Sequence, residues 1–203
     1  MDPEKKSLRA AERDDAQRQA FRDQLAGRSA ADFVVVDECG SNLNLTPRYA
    51  RAPRGQRAIG IIPRNTPPNT TLIASLTLSG MGPALLLDGA TDRLAFEVYV
   101  EQVLAPSLTP GQIVVLDNLS AHKGNRVRTL IEDRGCTLWF LPAYSPDFSP
   151  IEEAFSKIKT LLRRAAARTR AALDAAIADA LEQITPADAR GFFTDCGYFS
   201  RAQ

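Results

Sequence analysis

Three carboxylates in this chain each follow an apolar run. Asp37 closes Phe33-Val34-Val35-Val36, Asp117 closes Ile113-Val114-Val115-Leu116, and Glu152 comes just after Leu138-Trp139-Phe140-Leu141 and a Pro-rich turn. Short apolar runs rich in β-branched residues read as buried strands, and acids at their carboxyl ends sit where an open α/β sheet presents its ligand site. Between Asp117 and Glu152 lie 34 residues, room for a helix, a strand and a turn that return the chain to the same sheet edge. Carboxylates held close together repel one another unless a cation lies between them, so such a set marks a divalent-metal site. Magnesium takes one or two carboxylates, several waters and substrate phosphate oxygens. Two such ions about 3.5–4 Å apart can activate the attacking oxygen and stabilise the leaving one. The expected chemistry is in-line displacement at phosphorus.

Each acid also has a plainer reading. A strand-end Asp is often a turn former or the cap of the next helix. Ser149-Pro150-Ile151-Glu152 fits a capping box, which would account for Glu152 without chemistry. Asp88, closing Leu85-Leu86-Leu87, is another strand-end acid with no partner at suggestive spacing. Glu38 and Glu153, beside the main candidates, are expected on the other side of strand or helix.

The elements that must position these acids follow from periodicity. Residues 4–27 are charged, with Leu8, Phe21 and Leu25 too sparse for a wide apolar stripe, and read as a surface helix or linker. Strand one is Phe33 to Asp37. A long Arg- and Pro-bearing stretch follows, expected to form an irregular hairpin around Arg51-Ala52-Pro53-Arg54-Gly55. Thr71 to Leu78 and Pro83 to Leu87 read as antiparallel strands joined through Ser79-Gly80-Met81-Gly82. A helix is predicted from Asp92 to Leu104 with Thr91 as N-cap, then strand four from Ile113 to Asp117. A helix from Asn125 to Asp133 and strand five from Cys136 to Leu141 come next. Helices over Pro150–Ala166 and Ala171–Ile184 and a Gly/aromatic tail complete the chain. This order is that of an α/β, RNase H-like fold: a mixed five-stranded sheet flanked by helices, with strands one and four adjacent and Asp37 and Asp117 side by side.

Composition narrows the partners. At 203 residues with 44% hydrophobic content, the chain can bury a full core as one domain with helical extensions. Net charge is only +1, but its distribution is uneven. No acid occurs between Cys39 and Leu87, where Arg48, Arg51, Arg54, Arg57 and Arg64 fall. None occurs between Glu153 and Asp174, where Lys157, Lys159, Arg163, Arg164, Arg168 and Arg170 fall. Such basic stretches suit a polyanion such as nucleic acid, or form a solvated face. Three widely spaced cysteines, no CxxC and one histidine argue against a disulfide framework or a zinc site. The charged amino terminus is no signal peptide, and no apolar stretch approaches the roughly 20 residues of a membrane helix. A reducing compartment such as the bacterial cytosol is expected. GxxxxGK[ST] and GxSxG are absent, and Gly80-Met81-Gly82-Pro83 stops short of GxGxxG.

The segment LPAYSPDFSPIEEAFSKIK from Leu141 to Lys159, with VVLDNLSAHK from Val114 and VVVDECG from Val34, carries a resemblance. It is similar to the catalytic domain of bacterial insertion-sequence transposases related to the mariner group, the DDE superfamily endonucleases, over roughly residues 30–200. The resemblance implies that Asp37, Asp117 and Glu152 form the catalytic, metal-binding triad, and that Asn118 and His122 belong to the motif around the second acid. In the family the third acid follows Pro-Ile, here Glu152 rather than Glu153; Cys39 departs from a frequent Thr or Ser. It implies two Mg²⁺ or Mn²⁺ ions, hydrolysis of a phosphodiester at the element end, and attack of the freed 3′-hydroxyl on target DNA. Arg48, Arg51, Arg54, Arg57 and Lys123 are the candidate phosphate contacts. Residues 1–29 are expected to be a charged helical linker and 30–203 the catalytic domain with its C-terminal helices. Full-length relatives carry an amino-terminal helix-turn-helix region, for which the stretch before residue 30 is too short. That half is expected in cis or trans, with a dimer joining two DNA ends in the nucleoid-associated cytoplasm. The competing expectations are another RNase H-like nuclease, which gives no reason for SPDFSPIEE, and a non-enzymatic DNA-binding remnant, which would have lost an acid.

Overall fold

The computed structural model describes residues 10–119 and 124–199; the candidates His122 and Lys123 lie outside the described residues. Five strands form one sheet: β1 (Phe33–Ser41), β2 (Thr70–Thr77), β3 (Gly80–Asp88), β4 (Ile113–Leu116) and β5 (Thr137–Phe140). Their spatial order is β3-β2-β1-β4-β5. β1 is antiparallel to β2 and parallel to β4, and β4 is parallel to β5, the mixed sheet expected from the element order. The helices are α1 (Asp15–Leu25), α2 (Arg93–Tyr99), α3 (Asn125–Glu132), α4 (Pro150–Ala165), α5 (Arg170–Glu182) and α6 (Pro186–Asp195).

Alternation along the central strands divides the core in two, because successive side chains leave a strand on opposite faces. Phe33, Val35, Ile113 and Val115 meet Ile151, Ala154, Phe155 and Ile158 of α4, together with residues of α1, α5 and α6. Val34, Val36, Val114 and Leu116 meet Phe96 and Tyr99 of α2 and Val127 and Ile131 of α3. α4 forms because its apolar residues recur at three- and four-residue spacing, Ile151, Ala154, Phe155, Ile158 and Leu162, behind a proline at its first position. It stops where Ala166 turns left-handed at φ 49°.

Several local expectations need correction. β1 runs on through Glu38-Cys39-Gly40 to Ser41, held by antiparallel pairing with β2, so Asp37 lies within the strand rather than at its end. The stretch around Arg51–Gly55 forms no hairpin: residues 42–69 contain no strand or helix beyond β2's start. Pro53, Pro63, Pro67 and Pro68 remove ladder donors there, and no apolar alternation offers a face to bury. The N-cap of α2 is Asp92, whose carboxylate accepts from the Ala95 amide at 2.8 Å, not Thr91. Past Tyr99 that helix widens to a π turn over Val100–Leu104 before Pro106. The Gly/aromatic tail contains α6, begun by a capping box between Thr185 and Asp188 and anchored by buried Phe193 and Tyr198.

α1 is docked rather than loose. Phe21 and Leu25 enter the α4-side core, and Arg18, 1% exposed, makes a two-pronged ion pair with Asp147 at 2.9 and 2.5 Å. The Arg18 guanidinium also lies over the Phe148 ring, 4.3 Å from its centre. Tyr198 donates its hydroxyl to the Phe148 carbonyl at 3.0 Å. α1 and the segment after α6 therefore brace the 3₁₀ turn Pro146–Phe148 that leads into α4.

Candidate active site

β1 and β4 run in step, Phe33 opposite Ile113, Val34 opposite Val114 and Val35 opposite Val115. Asp37 and Asp117 each lie two residues beyond the last of these pairs. An even step returns a side chain to the same face, so both acids follow Val35 and Val115 toward α4. α4 begins at Pro150, which puts Glu152 in its first turn, where the helix dipole favours a negative charge. The three acids line one open cavity of about 380 Å³, shared with Asn118, Leu119 and Tyr144.

The carboxyl of Asp37 is pushed up from 3.8 to about 7. Burial is the main cause, and the negative charges of Glu152, Asp117 and Glu38 add to it; a hydrogen bond accepted from the Glu38 amide at 2.7 Å works the other way. Asp117 accepts from the Leu119 amide at 3.1 Å, the local turn contact expected of a strand-end Asp. The capping alternative for Glu152 is not realised, since Ser149 at the N-cap makes no side-chain cap hydrogen bond. Among the described residues no three His, Cys, Asp or Glu side chains stand close enough together to hold a metal ion as they are placed. Instead the acids sit around an open cavity as like charges, and that repulsion appears in the raised Asp37 pKa. Oxygen-only donors with room for water and phosphate suit Mg²⁺ or Mn²⁺.

Glu153 separates from Glu152 as expected. Glu153 faces away, beside Ser156, Lys157, Thr160 and Phe192 and within 3.8 Å of the Cys196 thiol. Burial first, then Asp195, pushes its carboxyl up. Cys39 is buried two residues past Asp37; burial raises its thiol pKa, and the Lys159 ammonium beside it pulls back. Asp88 does have a partner, an ion pair with Arg170.

The described basic candidates do not meet the acids. Arg48, Arg51, Arg54 and Arg57 are exposed on the 42–69 connection, and no described lysine or arginine lines the cavity. In the second basic stretch, Lys157 pairs with Asp188 at 2.6 Å and Arg168 donates to the carbonyls of Leu43 and Leu45, so part of that charge holds the fold together. Sequence reasoning passed over Leu119 and Tyr144 as cavity residues; the turn signal Pro142-Ala143-Tyr144-Ser145 between strand and helix was the available clue.

The sheet order β3-β2-β1-β4-β5 with helices on both faces is the RNase H-like class expected from the element order. The chain belongs to the family described as DDE superfamily endonuclease, whose model matches residues 32–174. No curated protein sequence matches it. Among solved structures it is similar to the Mos1 transposase paired-end complex with left transposon end, at TM-score 0.71 and 16% identity over 97% of this chain and 64% of that one. It is also similar to the Mos1 mariner paired end complex with Mn, at TM-score 0.72 and 17% identity over 98% of this chain and 65% of that one. The catalytic domain of Mos1 mariner transposase matches at TM-score 0.60 and 14% identity, over 95% of this chain and 92% of that domain. The chain thus spans under two thirds of the transposase chain in the paired-end complexes.

Proposed function

We propose that this chain is the catalytic domain of a transposase and performs DNA strand cleavage and strand transfer. The observation that carries the proposal is the convergence of three acids from β1, the end of β4 and the first turn of α4 on one cavity. Asp37, Asp117 and Glu152 would hold two Mg²⁺ or Mn²⁺ ions. When bound, the ions would lower the pKa of an attacking water and neutralise charge on the phosphate. The chain's own part is to hold the acids at fixed separations on a rigid sheet and helix. Asn118, at the cavity wall, offers an amide to orient a substrate oxygen. The reaction is hydrolysis of a phosphodiester at a transposon end, followed by attack of the freed 3′-hydroxyl on target DNA.

DNA is the proposed partner, with the exposed arginines of the 42–69 connection as phosphate contacts. A helix-turn-helix half in cis or trans would select the ends, a dimer would join two of them, and the site of action would be the nucleoid-associated cytoplasm. Among the described residues no helix is long and apolar enough to cross a membrane. Of the expected linker 1–29, α1 is docked on the core, and the segment before it would lead toward the end-binding half. The test is a nicking assay on DNA carrying the flanking repeats, with the helix-turn-helix half supplied: cleavage with Mg²⁺ or Mn²⁺ and none with EDTA is expected. Cleavage indifferent to EDTA would overturn the reading.

A further inference from the structure

An acidic cavity is a poor electrostatic host for DNA, and no described cavity residue is basic. Cations held by the acids would take the phosphate, and the base beside it needs a contact of its own. Two large apolar side chains that the fold leaves exposed line this same cavity from separate loops: Tyr144, 59% exposed, and Leu119, 53% exposed. Tyr144 also adopts φ 53°, the left-handed region that glycine occupies at no steric cost and an aromatic residue does not. The turn is held in place around it. Pro142 and Pro146 fix the backbone on either side, and the buried Ser145 hydroxyl donates to the Ala143 carbonyl at 3.1 Å. The strained backbone therefore presents a ring to solvent at the cavity edge instead of burying it.

We infer that Tyr144 is a stacking platform for a nucleobase next to the reacting phosphodiester, with Leu119 as an apolar contact on the neighbouring loop. The inference rests on the proposed DNA substrate. Every base has a π-face, so such a platform accepts an unpaired nucleotide of any sequence. It would splay the end nucleotide out of the duplex and set its phosphate over the acids, making Tyr144 a positioning residue.

The test uses the full chain and a DNA duplex with a short single-stranded 3′ tail carrying 2-aminopurine at successive positions. Ca²⁺ replaces Mg²⁺ so that binding is read apart from cleavage. On binding, 2-aminopurine emission at one tail position is expected to be quenched. Tyr144→Ala should abolish that quench and weaken binding about tenfold, while Tyr144→Phe keeps both. Tyr144→Gly, which frees the backbone and removes the ring, should bind like Tyr144→Ala yet melt no lower than the native chain. An abasic nucleotide at the quenched position should erase the affinity difference between Tyr144 and Tyr144→Ala. Unchanged quench and affinity in Tyr144→Ala, or a difference that survives the abasic substitution, would overturn the stacking role. Quenching without any metal-dependent nicking would keep the platform and remove the transposase reading.

Discussion

The α4 corner of the sheet and the connection from β1 to β2 carry charge in opposite ways. At the corner, three acids are fixed by a paired strand, a strand end and a helix turn, and the chain on the way to α4 is braced by Arg18, Tyr198 and the Phe148 ring. Across residues 42–69 the arginines stand on a backbone with neither ladder nor helix, beside exposed Tyr49, Ile59 and Ile61. Fixed charge can define a reaction geometry, because each ångström of displacement costs rate. Arginines spread along an exposed, irregular segment would instead suit a phosphate backbone, which carries the same charge whatever the sequence.

The sharpest way to break this contrast is Glu152→Gln. If the corner works by geometry and charge, cleavage should fall about a hundredfold or more with DNA binding and melting temperature retained, and Glu153→Gln should be nearly silent. Near-normal cleavage by Glu152→Gln, measured with the end-binding half present, would remove Glu152 from the triad. Next comes the brace. Asp147→Ala leaves the buried Arg18 without its half-exposed carboxylate and should cost about 1–2 kcal/mol in denaturant unfolding, whereas Arg57→Ala in the connection should stay within about 0.5 kcal/mol. Equal costs would erase the difference in rigidity.

Asp37 gives a pH signature. Its folded pKa of about 7 lies above the ordinary 3.8, so its contribution to stability is full below 3.8 and is lost as pH rises through 7. In metal-free buffer Asp37→Asn should therefore match the native chain near pH 4 and exceed its stability by about 2 kcal/mol at pH 8. Mn²⁺ should raise the native melting temperature at pH 8 and leave the variant's unchanged. An Asp37→Asn protein that is less stable at pH 8 would contradict the buried, repelled carboxylate. The smallest effect is expected in the connection. Arg51→Ala with Arg54→Ala should weaken binding to all DNA sequences alike and flatten the log–log salt dependence by about one unit per lost contact. An unchanged slope would make those arginines a solvated face.

The sheet and its acids were legible because apolar runs and strand order are written in consecutive residues. Asp37 was found for its position after Val34-Val35-Val36, although the strand continues beyond it. That continuation could not be seen: Glu38-Cys39-Gly40 has no apolar signal, and its strand geometry comes from pairing with Leu72 and Ile73 far along the chain. The docking of α1 was hidden for a related reason. A buried arginine looks in sequence like any surface arginine, and its partner lies 129 residues away. α6 was missed although Thr185-Pro186-Ala187-Asp188 is a helix-start signal, because Gly191 and the aromatics around it read as loop. The raised Asp37 pKa needs the packed fold, since it depends on burial and on two acids brought from elsewhere.

The in-step pairing of β1 with β4 sets unequal tolerances to insertion along the gene. One residue added between Val34 and Asp37 would turn the aspartate to the opposite face of the sheet, the side that now carries Glu38 and away from α4. Two added residues would restore its side but slide it roughly 6.5 Å along the strand, out of reach of its companions. A few residues later in the chain, lengthening the 42–69 connection shifts no strand register. Changes in length can therefore accumulate in the exposed connection, while the spacing around Asp37 behaves as a parity code that a single added codon violates.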